Sequence, residues 1–414
     1  MQIDKKRLSK QKKIVQRWVE NKGKGTIVGP TGFGKSFISI LTIQSMNKRH
    51  PDRTTIIIVP THELQKQWNE NIKEHGLQNT KVLIINTAIK RELSCHLLVL
   101  DEIHRYAADT FKEVFSRISY KFIQGLTATF EREDNKHYLL ERVCPVIFRM
   151  DVKEAKKNEY ISDFKVYNLG VQMNVSDKIL YDDLNQKFNY YFSWFEFDFH
   201  RAKLCLKDRL YINHYAARMK STPEEVKVKA INFFRVMGQR KAFLYNNSSK
   251  LSIVKRIIDG YPMKAIIFSE TTGFADVITK ILGEKCRSAH TQIPSKERDK
   301  ILEEYAKQDS DISVLSTAKM FDEGINLPEI QMALIASGTS SKRQTIQRVG
   351  RALRKREDKV ALIINLYMVG TQEEKWVDKR TAGLSPHWIR SYEDIDDEGV
   401  SYSGMLNYNT SLFG

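Results

Sequence analysis

The stretch GTIVGPTGFGKSFISIL, Gly25 to Leu41, sets a short β-branched run against a glycine-rich turn and then an apolar segment with helical spacing. Gly29 to Ser36 satisfy G-x-x-x-x-G-K-[ST] between a predicted strand and a predicted helix starting near Lys35, the context this pattern requires. Glycines there let backbone N–H groups turn inward around phosphate oxygens. Gly29, Pro30, Thr31, Gly32, Phe33 and Gly34 form that cradle. Lys35 brings a mobile positive charge to the β and γ oxygens, and the Ser36 hydroxyl is suited to Mg²⁺.

Outward from this loop, apolar runs alternate with longer amphipathic stretches: TTIIIVP, KVLIIN, HLLVLDE and FIQGLTAT follow up to residue 130. That rhythm predicts buried parallel strands joined by helices. A second series, KAIIFSE, ISVLST, QMALIASG and KVALIINLY, occupies residues 264–368. The fold class is therefore α/β, with two tandem parallel-sheet lobes. Residues 1–155 are expected to form the first lobe, 156–176 a linker and the start of the second, and 247–384 the second lobe. Residues 177–246 are expected to form a helical, aromatic-rich insertion, and the acidic tail 385–414 to be a docked strap or partly disordered.

The 414 residues hold 67 Lys and Arg against 50 Asp and Glu, a formal charge of +17 that attracts polyanions, nucleic acid first among them. Cys95, Cys144, Cys205 and Cys286 lie far apart with no C-x-x-C pair, which argues against a zinc site or a disulfide framework. No apolar run approaches the roughly 18 to 20 residues of a membrane span. A soluble intracellular protein is expected, cytoplasmic or located with nucleic acid in a nucleoid or nucleus.

LDEIH places Asp101 at the carboxyl end of a predicted buried strand, where open parallel sheets bind ligands and where it can serve a Mg²⁺ shell. Glu102 is placed to orient or deprotonate the water that attacks a γ-phosphate. His104 either links this site to the neighbouring domain or caps a helix. Far along the chain, QTIQRVGRALRK puts Gln347, Arg351 and Arg354 at i, i+4 and i+7, one face of a helix if it continues through Gly350. A glutamine and two arginines suit a water and phosphate oxygens, although a basic solvated face has the same pattern.

In order, GPTGFGKS, IIIVPTHELQKQW, LDEIH, LTAT, AIIFSE, VLSTAKMFDEGINLP and QRVGRALR resemble the motifs of superfamily 2 helicases over residues 7–370. ASGTSSKRQTIQRVGRALR and the Arg132-Glu133-Asp134 triplet after LTATFE make the chain most similar to the XPB-like branch, near the phage UvsW-like branch-migration helicases. The resemblance implies two RecA-like lobes with ATP and Mg²⁺ in the cleft between them. It makes Arg354 the arginine finger, supported by Arg351, and sets Gly324 at the nucleotide. Asn326 stands where many relatives carry an aspartate near the ribose. Gln11 falls where the family has an adenine-reading glutamine, or is a polar residue on the first helix. Thr127 and Thr129 match the motif that couples hydrolysis to nucleic-acid binding.

The same resemblance places Pro60, Thr61, Thr87, Ser269, Glu270 and Thr317 at strand tips against a nucleic-acid backbone, and ties Arg132 to unwinding. Phe188, Tyr190, Tyr191, Phe192, Trp194, Phe195, Phe197 and Phe199 fall where the family has a thumb-like element. They either pack that element onto a lobe or include one or two rings that stack on bases. The reading is an ATP-dependent 3′ to 5′ DNA helicase acting on single-stranded, forked or branched DNA, by unwinding or branch migration, in replication, recombination or repair. A monomer is expected. The alternatives are a duplex translocase that separates no strands, an ATP-gated nucleic-acid clamp and an RNA helicase. The N-terminal DNA-recognition domain of larger XPB proteins and the iron–sulfur cluster of XPD-like helicases are not expected.

Overall fold

The computed structural model describes residues 5–107, 113–131, 135–161, 164–307, 309–318, 330–338 and 361–395. Arg132 and its triplet, Gly324, Asn326, Gln347, Arg351 and Arg354 lie outside the described residues. In the first half, the predicted runs form β1 (Lys24–Val28), β2 (Thr55–Val59), β3 (Thr80–Ile84), β4 (Leu93–Asp101), β5 (Ile118–Thr127) and β6 (Val146–Arg149). They make one sheet in the order β3-β2-β4-β5-β1-β6, with every pairing parallel. Parallel strands need crossovers, and helices on both faces explain why β2 and the second half of β4 are buried at every position.

The second sheet takes β7 (Phe164–Val171), β8 (Ala265–Ser269), β9 (Cys286–Ser288), β10 (Val314–Ala318), β11 (Met332–Ile335), β12 (Ala361–Met368) and β13 (His387–Ile389). Its order is β13-β7-β12-β11-β8-β10-β9, again all parallel. Successive side chains of β8 face opposite ways: Ile266 and Phe268 join the apolar cluster continuous with the first lobe, while Ala265 and Ile267 join the cluster on the other face. β7 lies in the segment read as linker, and β13 in the segment read as tail. The start of the tail is therefore a docked edge strand, clipped further by Arg256 to Glu393 at 2.6 Å.

Between β7 and β8 the chain forms helices Val175–Ser193, Phe199–Lys207, Arg209–Arg218 and Pro223–Tyr245. Asn174, Asp198, Asp208 and Thr222 cap the N-termini with their side-chain oxygens, and Pro223 occupies the first turn of the last helix. The expectation that the aromatic run packs this element onto a lobe is corrected here. Phe195 is fully buried inside the insertion with Ala202, Tyr215, Val226 and Phe233, and Phe188, Tyr191, Phe192 and Trp194 pack around them. The insertion has its own small core because its long helices meet each other along Phe188, Phe192 and Phe233.

The four cysteines are buried and unbridged, and burial pushes their thiols up to about 11, which leaves them as unreactive packing groups. Among the described residues no helix is long and apolar enough to cross a membrane.

Candidate nucleotide site

Strand register assembles the site. β5 pairs with both β1 and β4, setting Val28 opposite Thr127 and Asp101 opposite Leu126, so three motifs separated in sequence end side by side. Gly29 N–H donates to Thr127 O at 3.1 Å, tying the start of the phosphate loop to the tip of β5. Gly125 in β5 permits this packing: a Cβ there would lie 2.5 Å from the Ile103 side chain.

The helix Lys35–Arg49 begins where the spacing predicts, directly after Gly34. Gly34 has φ of 85°, a conformation that costs other residues stability, and a Cβ would sit 2.6 Å from Gln11 Nε2. Gln11 is buried, and its amide donates to Phe33 O at 3.0 Å and Gly34 O at 3.4 Å. The structure thus brings Gln11 onto the phosphate loop itself. Phe33 is fully buried against Phe148 and Tyr160, and burying such a ring contributes about 2 to 3 kcal/mol, enough to fix the loop from beneath.

Lys35 Nζ donates to Gly29 O at 2.9 Å and Pro30 O at 3.3 Å. Burial lowers its pKa, while the charges of Glu102 and Asp101 oppose that shift. Asp101 is raised to about 6, first by burial and then by the Glu102 charge, with the Trp68 hydrogen bond and Lys35 opposing. Its Oδ2 accepts from Trp68 Nε1 at 2.8 Å and its Oδ1 from Glu102 N at 3.0 Å. Glu102 has φ of 52°, a left-handed backbone that costs a non-glycine residue about 1 to 2 kcal/mol and turns the chain sharply between the two carboxylates.

Beyond Glu102 lies a buried relay. Thr127 Oγ1 is 2.8 Å from His104 Nδ1, 2.7 Å from Thr129 O, 3.3 Å from Glu102 Oε2 and 3.2 Å from Thr129 N. A hydroxyl has one proton and two lone pairs. All groups are satisfied when His104 carries its proton on Nδ1 and donates with Thr129 N–H to Thr127. The Thr127 proton then has two acceptors, Thr129 O and Glu102 Oε2. His104 Nδ1 is also 3.4 Å from Glu102 Oε2, so it belongs to this relay rather than to a helix cap.

The residues read as strand-tip contacts divide. Thr61 caps the helix His62–Glu74, accepting from Leu64 N at 3.3 Å, with Pro60 partly exposed beside it. Thr87 lies in a one-turn helix, Ile85–Ala88, and not on the β3 tip, because the chain winds as soon as pairing with β2 ends. Ser269 and Thr317 are buried at the ends of β8 and β10, and among the described residues neither hydroxyl has a hydrogen-bond partner. Glu270 N–H donates to Ser337 Oγ at 3.0 Å.

Trp68 was not singled out from sequence, although it closes the HELQKQW stretch and repeats Leu64 at i+4. The buried set Ser39, Thr42 and Gln124, which bonds the loop helix to β5, carried no readable signal. The Trp68 bond has a testable consequence. Asp101 holds its proton to about pH 6 instead of the ordinary 3.8, so its contribution to stability is full below 3.8 and is lost as pH rises toward 6. Trp68→Phe removes a bond that favours the carboxylate. It is expected to lower ATP turnover about tenfold, from the loss of roughly 1.5 kcal/mol, and to lower the melting temperature more at pH 8 than at pH 5. An equal loss at both pH values would show that only packing was disturbed.

A glycine loop with a buried lysine and an acid pair at a strand tip are the parts of a nucleotide-hydrolysing site, and the chain adds a second parallel-sheet lobe. Residues 249–356 match the helicase conserved C-terminal domain, and residues 4–95 match the type III restriction enzyme res subunit. The chain is 29% identical to the DNA 3'-5' translocase XPB2 of Sulfurisphaera tokodaii over 89% of this chain and 83% of that protein. It is 23% identical to the putative DNA 3'-5' helicase Rad25 of Haloarcula marismortui, over 91% of this chain but 55% of that protein. Among solved structures, the Pyrococcus furiosus Hef helicase domain superposes with a TM-score of 0.56 at 15% identity, covering 89% of this chain and 97% of that one. Saccharomyces cerevisiae Dbp5 bound to RNA and ADP BeF3 gives 0.60 at 14% identity, covering 96% and 93%. These matches make the chain similar to superfamily 2 helicases of the XPB-like branch.

Proposed function

We propose that this protein is an ATP-driven 3′ to 5′ DNA helicase or translocase that acts on forked or branched DNA. The observation that carries it is the buried relay from Glu102 through Thr127 to His104 and Thr129, which joins the residue placed for hydrolysis to the tip of β5. The direction and the choice of DNA follow the name of the XPB2 relative, a DNA 3'-5' translocase, and the net charge of +17.

In this reading Gly29 to Gly34 cradle the phosphates and Lys35 leaves the Gly29 and Pro30 carbonyls for the β and γ oxygens. Ser36 and Asp101 fit Mg²⁺, since that ion takes hard oxygen donors and is held by one or two carboxylates together with substrate phosphates. Bound there, the ion would neutralise charge on the phosphate oxygens. Glu102 orients and deprotonates the attacking water, while Gln347, Arg351 and Arg354 from the second lobe complete the charge balance on closure. Thr127 turns its hydroxyl hydrogen bond between Thr129 O and Glu102 while keeping its proton, so strand contact and hydrolysis share one hydrogen bond. Pro60, Thr61, Thr87, Ser269, Glu270 and Thr317 are proposed along the DNA backbone, with Arg132 at the separating strand.

The test is ATP hydrolysis by the full chain with single-stranded, duplex, forked and four-way DNA and with RNA, using Lys35→Ala as the inactive control. Stimulation is expected to be greatest with forked or branched DNA. Greater stimulation by RNA would overturn the substrate. Triplex displacement without strand separation would favour the duplex translocase; XPB2 is named a DNA 3'-5' translocase.

A further inference from the structure

The insertion contains two consecutive non-glycine residues in the left-handed region, Glu196 with φ of 51° and Phe197 with φ of 56°. They form the turn after the helix Val175–Ser193, where Phe195 N–H and Phe197 N–H both donate to Phe192 O. On one side the turn is anchored: Phe195 is fully buried and stacks on Tyr215. Glu196 is held as a carboxylate by Arg201 on one oxygen and Arg218 on the other. Phe197 itself is 64% exposed and, among the described residues, meets the ring of Phe192 edge-on.

This residue is unfavourable twice over, as an apolar ring in water and as a phenylalanine where glycine or asparagine is easier. The edge contact with Phe192 leaves most of the ring in water, while Phe195 supplies the buried anchor. The surroundings indicate the occupant. Lys and Arg outnumber Asp and Glu thirteen to eight over residues 175–246. Tyr190 and Phe199 are also about half exposed, and Lys229 lies 4.6 Å from the Trp194 ring and 2.9 Å from the Tyr190 hydroxyl. A projecting ring in a basic setting suits a nucleic-acid end, because any base offers a face for stacking and the phosphates meet the cations.

We infer that Phe197 is a wedge that stacks on the terminal base pair of a DNA fork, set outward by the turn that Glu196, Arg201 and Arg218 hold. This rests on the reading that the chain acts on DNA, and it adds the residue that meets the junction. Glycine at position 197 relieves the backbone while removing the ring, so it separates the ring's role from the turn's.

The experiment uses the full chain with Phe197→Gly and Phe197→Trp, and a forked duplex carrying 2-aminopurine at the junction. Wild type is expected to change the probe's fluorescence on binding, before ATP is added. Phe197→Gly is expected to lose that change and to unwind the fork about tenfold more slowly, with an unchanged or higher melting temperature and unchanged ATPase on single-stranded DNA. Phe197→Trp is expected to restore both signals. Wild-type probe response and unwinding in Phe197→Gly would overturn the wedge, as would a parallel fall in ATPase and melting temperature. Absence of DNA-stimulated ATPase in wild type would instead overturn the proposed function.

Discussion

Glu102→Gln is expected to lower ATP turnover by roughly 10² to 10⁴-fold, the range for loss of a positioned general base, while nucleotide still binds. Glutamine keeps the shape and one acceptor oxygen, so Thr127 Oγ1 retains a partner near its 3.3 Å contact and the relay stays folded. What disappears is the ability to take the proton of an attacking water. The left-handed backbone at Glu102 sharpens this: φ of 52° fixes where the side chain leaves the chain, so no neighbouring carboxylate can substitute. Asp101 is committed to Trp68 and to the Glu102 backbone N–H. The measurement is steady-state ATPase with and without DNA, beside binding of a fluorescent ATP analogue. Turnover within tenfold of wild type would remove Glu102 from the chemistry and favour a binding switch. Lys35→Ala gives the contrast, because loss of the phosphate contact impairs binding as well as turnover.

The loop from Gly29 to Ser36 and the strand-end acids were legible because their spacing along the chain is the information: glycine at turns, a cation at a helix start, an acid after an apolar run. The parallel sheets were legible for a similar reason, since burial on both faces leaves uninterrupted β-branched runs. What connects the site was not. Thr127 meets His104 and Glu102 only because β5 pairs with β4 in one register and β1 in the same plane, and no local pattern encodes that register. Trp68 reaches Asp101 across 33 residues, and Gln11 reaches Phe33 O across 22. The aromatic run misled in a physical way, since an apolar stretch states that something is buried without naming the partner. Five of its eight rings found that partner in the insertion's own core, whereas Phe197 meets the edge of Phe192 and stays mostly exposed.

Lys250→Met is expected to destabilise the second lobe by about 3 to 5 kcal/mol, the cost of leaving a buried charge without its counterion. Lys250 and Glu373 are both buried and lie 2.8 Å apart, with Lys250 Nζ also donating to Leu244 O at 2.8 Å and Glu373 Oε2 accepting from Met368 N at 2.9 Å. Burial lowers the Lys250 pKa and the Glu373 carboxylate opposes it, so the lysine's charge depends on its partner. Without the lysine, Glu373 loses this ion-pair partner and keeps the Met368 N–H. Lys250→Met with Glu373→Gln removes both charges but leaves an acceptor for Met368, and should return to within about 1 to 3 kcal/mol of wild type. Because a two-lobed chain need not unfold in one step, amide exchange in the helix Gln372–Thr381 is the better readout. That helix also grips the insertion through Arg240 to Gln372 at 2.5 Å and Gln372 N–H to Tyr181 OH at 3.3 Å, while Arg380 donates to Gly338 O at 3.4 Å. Faster exchange in the single variant, reversed in the double, would show that the pair holds the root of the insertion to the lobe. Wild-type protection in Lys250→Met would place that hold in Arg240 and Tyr181 instead.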